Sequence, residues 1–447
     1  MATLVPSQHM LDELFEWLRI PSISSGGGDP ADLIRAAEWA AAKIQRAGGR
    51  VEFVDGKGNP LVVGDLKGPE GAPTVMIYGH YDVQSADPVD AWTTPPFEPA
   101  VRDGRIYARG ASDDKGNFFP LLYVACEMAA DGELPVHVRV LLEGNEESPG
   151  GHVDDWVAAD ERGAECVIVF DSDMLDAETP ALTVGMRGLV MLDVKVTTAP
   201  ADLHSGMYGG SVLNALHALH QMLAAVLPGP DGLLRDELRE GITPPTEPEL
   251  QAWADLPPGD HVLAEVKGRP LVPRSGELYY ERNGADASLD VHGIAGGDAV
   301  QVRTMVPATA QAKLSLRLAP GQRSEVISPE LQRLLREAAP AGAEVSVTEL
   351  AVGEPALFDP SLPPLRLAAQ ALERASGRTP ALMRVGGSIP VLADFADKGV
   401  PVIVSGFALP TDGVHGVDES FRLESLALCE RAARELFLAL SELGNEA

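Results

Sequence analysis

The sequence predicts an α/β fold: a mostly parallel sheet with its helices, interrupted by a smaller α+β domain. Three observations carry that prediction. Up to about residue 186, short apolar runs alternate with helical patterns, the texture of a parallel sheet. From 187 to 355 the strands instead alternate strictly between apolar and polar, as half-buried strands do. From 356 the first texture returns, so the simplest architecture is one domain (1–186 and 356–447) interrupted by another (187–355). At 447 residues the chain is also too long for a single core.

Taken in order, MATLVPSQHMLDELFEWLRIPSIS lacks a basic n-region and carries acids among its apolar residues. It reads as an amphipathic helix and not as a signal peptide. Residues 31–48 are Ala-rich at helical spacing and end in Gly. Apolar runs follow: TVMIYG before His80, VHVRVLLEG before Glu146, and CVIVF before Asp171. Between Asp113 and Gly132 the residues Phe118, Leu121, Leu122, Ala125, Met128 and Ala129 form a helical stripe, with Pro120 in the first turn or at a kink. In RGLVMLDVKVTT, Leu192, Val194 and Val196 oppose Asp193 and Lys195; in AKLSLRLAP, Leu314, Leu316 and Leu318 oppose Lys313, Ser315 and Arg317. EVSVTEL is a third such strand, and SVLNALHALHQMLAAVL and SPELQRLLREAA are helices. Residues 227–300, rich in Pro, Gly and Asp, read as long loops and short helices. The last part holds a helix (LPPLRLAAQALERASG), a strand (VPVIVSG) and a C-terminal helix.

Composition narrows function. Acidic residues number 66 against 35 basic ones, a formal charge of −31, which argues against binding a nucleic-acid backbone. No apolar run approaches a membrane span of roughly 20 residues, and the expected location is cytoplasmic. Cys126, Cys166 and Cys429 are too few and scattered for a disulfide framework or a thiolate metal site.

Four strands of the outer domain are followed by imidazole or acidic side chains: His80 and Asp82, Glu146 and Glu147, Asp171, and the loop holding His415. Asp113 joins them in a loop that opens a helix. Each alone reads as a cap, a turn or solvated surface. Together, at the carboxyl ends of strands of one sheet, they fall where open α/β sheets bind ligands. Two His and several carboxylates suit zinc, manganese or cobalt, and exceed what one tetrahedral ion uses, so a carboxylate-bridged pair fits best. His80 and Asp82, two apart in extended chain, point the same way, so Asp82 can accept the second N–H of His80. Adjacent Glu146 and Glu147 diverge, and one can ligate while the other stays free as a general base. His9, His137, His152, His217, His220, His261 and His292 lack a partner set and read as surface or packing.

The motifs GHYDVQ, ARGASDDKG, EGNEE, FDSD, HSGMYGG, RVGGSIPV and VHGVDE, in that order, resemble the di-zinc aminoacylase, carboxypeptidase and dipeptidase family, and most of all its cytosolic non-specific dipeptidase (carnosinase-like) branch. The resemblance implies a di-metal catalytic domain with an inserted lid that also makes a homodimer. It places one ion on His80, Asp113 and Asp171 and the other on Asp113, Glu147 and His415, with a cis peptide between Asp113 and Asp114. It makes Glu146 the general base, Asp82 the partner of His80, and His204 an oxyanion donor acting in the neighbouring subunit. Thr304, Arg317, Gly387 and Ser388 match positions that contact substrate. Val385 stands where the branch usually has Glu, and Gly416 where Ser is common after the histidine. The implied activity is hydrolysis of dipeptides with a free carboxylate. Rivals are a deacylase or desuccinylase of N-acyl amino acids on the same core, and a non-catalytic binding protein of the same fold.

Overall fold

A computed structural model describes residues 5–148, 150–387 and 389–445. The chain forms two compact units, one of Met1–Val184, Phe358–Leu382 and Asp394–Ala447, the other of Gly185–Leu357 with Met383–Ala393.

The first unit is built on a sheet whose central strands run in the order His137–Glu143, Thr74–His80, Cys166–Phe170 and Val402–Ser405, all parallel. These are the continuous apolar runs of the sequence; Cys166–Phe170 is buried at every position, as a strand covered on both faces must be. Antiparallel strands extend the sheet, Leu61–Leu66 and Arg50–Val54 on one side and Ala181–Met186 on the other. The helix Lys115–Ala130 packs on the sheet and is covered in turn by Gln8–Leu18, Pro30–Arg46 and Leu423–Leu440. It is therefore buried nearly all round, where the sequence suggested a single stripe. Pro120 lies in its second turn, where it removes one helical hydrogen bond. Ser7 caps the first helix by accepting from Met10 N, and Trp17 on that helix stacks on Trp39 at 5.2 Å. All three cysteines are buried free thiols. Among the described residues, no helix is long and apolar enough to cross a membrane.

The second unit has a four-stranded antiparallel sheet in the order Ser288–Gly296, Thr309–Leu318, Gly188–Thr197 and Glu344–Gly353. Val190, Leu192, Val194, Val196, Leu314, Leu316 and Leu318 form one face and bury against Leu219 and Met222 of Ala215–Ala224 and Ile327 and Leu331 of Ser324–Glu337. The strand Ser288–Gly296 corrects the expectation of loop over 227–300. Its alternation is interrupted by a bulge between Val291 and Gly293, and its outer half is exposed, so no periodic apolar signal marks it. The polar face is also less solvated than expected, since Ser315 is buried beneath His292, whose Nε2 lies 2.8 Å from its hydroxyl. A strand Ala381–Val385 and a helix Val391–Asp397 occupy the RVGGSIPV region, which the sequence left without elements.

Candidate metal centre

Parallel strands bring their carboxyl ends to one edge, and the centre assembles there. His80 is the last residue of its strand, Asp171 follows Phe170, and Glu146 and Glu147 lie in the turn after Glu143. His415 comes from the loop after Val402–Ser405 and adopts a left-handed backbone, φ +61°. Asp113 precedes the helix Lys115–Ala130 through a cis peptide to Asp114.

Asp113 stands between the two histidines. Its Oδ1 is 3.2 Å from His80 Nε2 and its Oδ2 is 2.9 Å from His415 Nε2, which is also 3.2 Å from Glu147 Oε2. Two donor sets result, His80 with Asp113 and Asp171, and Asp113 with Glu147 and His415. Glu146 belongs to neither.

Asp82, fully buried, organises both sides of the site. His80 Nδ1 lies 3.0 Å from its backbone oxygen and 3.4 Å from its carboxylate. The same carboxylate accepts the Glu146 N–H at 3.3 Å and the Glu147 N–H at 3.1 Å, and the Ser24 hydroxyl as well. With Nδ1 donating, His80 presents a lone pair at Nε2, which is buried without a hydrogen-bond partner although it faces Asp113. Glu147 Oε1 is likewise without a partner among the described residues. A lone pair on His80 Nε2 that faces the Asp113 carboxylate calls for a cation between them. The donors, imidazole and carboxylate without thiolate, fit zinc, manganese or cobalt.

The charges agree. Burial opposes ionisation of Asp113, yet His415 and His80 hold it well below the usual carboxylate range. Asp171 is pushed up to about 7 by burial and by the Asp113 charge. Burial lifts Glu146 well above its ordinary value, against His80 and with Asp171, Glu147 and Asp113 adding. His415 rises to about 10 through its hydrogen bonds to Asp113 and Glu147. Negative charge is in excess, and the carboxylates around them draw both histidines toward protonation.

Two residues that sequence reasoning passed over hold the ligand loops. Glu419, fully buried, accepts from Gly110 N at 2.9 Å, Ser112 N at 2.8 Å, Asp113 N at 3.0 Å and Arg109 Nη1 at 2.7 Å. Arg109 Nη2 donates to Ser85 O and Gly416 O, both at 3.0 Å, so one buried ion pair ties the loops of Asp82, Asp113 and His415. Both residues sit inside quoted motifs, but nothing marks a charged loop residue as buried when its partner is 310 positions away. Gln84 Nε2 adds a hydrogen bond to Glu147 Oε2 at 2.8 Å.

The second unit brings His204 and Thr304 together. The short strand Leu203–His204 pairs with Met305–Val306, and Ser205 N donates to Thr304 O at 2.9 Å. His204 is exposed, and its Nδ1 accepts from Gly206 N at 3.0 Å, which leaves the proton on Nε2. Arg317 is half-buried on the polar sheet face. At Gly387 a Cβ would meet nothing within 4 Å, whereas at Gly386 it would lie 2.7 Å from Arg187 Nη2. Ser388 lies outside the described residues.

A mostly parallel α/β sheet with overlapping imidazole and carboxylate donor sets on its carboxyl edge defines a metallohydrolase. The model of the peptidase family M20/M25/M40 matches residues 76–439, and the chain belongs to that family. It is 28% identical over 439 residues to the Cys-Gly metallodipeptidase dug1 of Schizosaccharomyces pombe, covering 91% of this chain and 90% of that one. It is 27% identical over 441 residues to the Beta-Ala-His dipeptidase of Rattus norvegicus, covering 92% and 88%. Among solved structures, the di-peptidase Dug1p of Saccharomyces cerevisiae superposes with a TM-score of 0.82 at 25% identity, over 97% of this chain and 96% of that one. The resemblance read from the motifs, to this family and its carnosinase-like branch, is borne out.

Proposed function

We propose that this protein hydrolyses the amide bond of dipeptides that carry a free C-terminal carboxylate. The observation that carries the reading is Asp113, shared by two donor sets, beside a half-buried glutamate that belongs to neither. His80, Asp113 and Asp171 would hold one divalent cation and Asp113, Glu147 and His415 a second, zinc by preference with manganese or cobalt as alternatives. Such a pair, when bound, polarises a carbonyl and lowers the pKa of water.

The chain's own residues supply the rest. Glu146 takes the proton from the attacking water and returns it to the leaving amine. Burial raises its affinity for a proton, which suits a group that must accept one and later give it up. Asp82 fixes the His80 ring and, through the Glu146 and Glu147 N–H groups, the turn that carries the base. The Nε2 proton of His204 is free to donate to a developing oxyanion, supported by the Gly206 hydrogen bond that sets its tautomer. Arg317 reads the substrate carboxylate, with Thr304, Gly387 and Ser388 as further contacts. The inserted domain (187–355) serves as lid and homodimer contact, and the enzyme is cytoplasmic.

The test is purified protein assayed on dipeptides, on their C-terminal amides and on N-acyl amino acids, before and after chelation. Turnover of dipeptides that chelation removes, and that zinc, manganese or cobalt restores, supports the reading. Turnover in verified metal-free protein, or preference for N-acyl amino acids, refutes it. Arg317→Met should lower kcat/KM on the acids by about 30- to 5,000-fold and far less on the amides.

A further inference from the structure

Among the described residues, the second unit holds two guanidiniums, those of Arg187 and Arg317, with no carboxylate at ion-pair distance. Arg187, just before the strand Gly188–Thr197, is 8% exposed; its Nη1 donates to Ser288 Oγ at 2.9 Å and its Nε is buried without a partner among the described residues. Ser288 sits directly across from Arg317 in the sheet register, and the neighbour of Arg317 on its other side is Leu189, two residues from Arg187. Cross-strand pairs share a face, and Arg187 reaches the Ser288 hydroxyl, so its guanidinium lies against the polar face that carries Arg317.

Their charges act on each other. Arg187 is lowered to about 10, by burial first and by Arg317 next. Of the acids that temper this, Asp290 is exposed to solvent and Asp286 is held by Arg239 at 3.1 and 3.2 Å. Among the described residues, neither Arg187 nor Arg317 has a carboxylate at ion-pair distance. That is unusual in a chain with 66 acids to 35 bases. The other buried arginines show the ordinary solution, Arg384 on Glu249 at 2.7 and 3.0 Å and Arg109 on Glu419. A buried cation without a counter-charge is costly, and an incoming anion removes the cost.

The neighbourhood suits a substrate group. Gly386 leaves room for Arg187 Nη2 beside the loop that carries Gly387, and any side chain there would collide with the guanidinium. One carboxylate fills one guanidinium fork with two hydrogen bonds, and a second fork then awaits a second carboxylate.

We propose that Arg187 and Arg317 form a two-guanidinium site for a dipeptide whose C-terminal residue is acidic, Arg317 taking the main-chain carboxylate and Arg187 the side-chain one. The assignment rests on the dipeptidase reading above and makes aspartyl and glutamyl C-termini the preferred substrates.

The experiment uses the metal-loaded enzyme with alanyl-glutamate and alanyl-glutamine, which differ only in the side-chain charge. Wild type should favour alanyl-glutamate by about tenfold or more in kcat/KM, and Arg187→Met should lower alanyl-glutamate by at least about tenfold more than alanyl-glutamine. Arg187→Lys keeps the charge and should keep part of the preference, which guards against a Met variant that folds poorly. Calorimetric binding of free L-glutamate and L-glutamine to the wild type reads the same site without turnover. Equal kcat/KM for the two dipeptides in the wild type, or equal losses on both in Arg187→Met, overturns the proposal. If no dipeptide is cleaved but glutamate binds more tightly than glutamine in an Arg187-dependent way, the two-guanidinium site stands and the dipeptidase reading falls. Equal binding of the two overturns the site.

Discussion

Replacing Glu419 by Gln should loosen the metal centre from behind. The carboxylate accepts four hydrogen bonds: Oε1 takes Ser112 N and Asp113 N, and Oε2 takes Gly110 N and Arg109 Nη1. An amide must turn its NH2 toward one of these pairs, so two donors then face a donor and two bonds are lost. It also removes the negative charge opposite Arg109, whose side chain is only 3% exposed. Breaking a buried ion pair by removing one partner costs about 3–5 kcal/mol. Asp113 belongs to both donor sets, so a shift of its loop reaches both ions at once. Groups that position ligands from behind are commonly worth about 10- to 100-fold in metal affinity. The assay is a competition titration with a chromophoric chelator on wild type and Glu419→Gln, alongside thermal unfolding with and without added metal. Weakened binding of both ions by about that factor, with a lowered Tm that excess metal partly restores, is expected. Unchanged affinity for both ions would show that the Asp113 loop holds its place without Glu419.

Three further outcomes test the centre itself. Glu146→Gln should lower kcat by about two to four powers of ten while metal content stays near two ions per chain, because the residue lies outside both donor sets; loss of metal instead would exchange the roles of Glu146 and Glu147. Asp113→Ala should lose both ions by elemental analysis, and retention of either would remove it as the bridge. Mixing His204→Ala chains with Glu146→Gln chains should recover part of the activity in hybrid dimers, and no recovery despite proven subunit exchange would place His204 in its own subunit's reaction.

Legibility in the sequence followed the physics of each element. The parallel strands Thr74–His80, His137–Glu143 and Cys166–Phe170 are buried on both faces, so they stand out as unbroken apolar runs. Gly188–Thr197 and Thr309–Leu318 bury one face and stand out by alternation. Ser288–Gly296 does neither, because a bulge at His292 breaks its phase and solvent covers its outer half. His80, Glu146, Glu147, Asp171 and His415 were legible because each follows a readable strand, and Asp113 because its loop opens a readable helix. The Arg109–Glu419 pair was not, since burial of a charge is decided by a partner that local pattern cannot name. Arg187 was hidden for the same reason: its burial depends on Ser288 and on the close approach of Gly386.

The number of ions follows from where the buried cations of the first unit point. Arg109 is spent on Glu419, and Lys115, fully buried beside the ligand loop, directs its ammonium at the backbone oxygens of Trp17 and Ile20, 3.1 and 2.9 Å away. Neither neutralises the carboxylates of Asp113, Glu147 and Asp171. A single divalent ion against three carboxylates leaves the donor sets with a net negative charge, which would repel a carbonyl oxygen as it gains electron density. Two ions leave them net positive, the polarity that favours that oxygen. His80 Nε2 and Glu147 Oε1, both without a hydrogen-bond partner among the described residues, belong to residues of different donor sets, so each set has its own call for a cation. Charge balance and hydrogen-bond balance thus lead separately to the same pair.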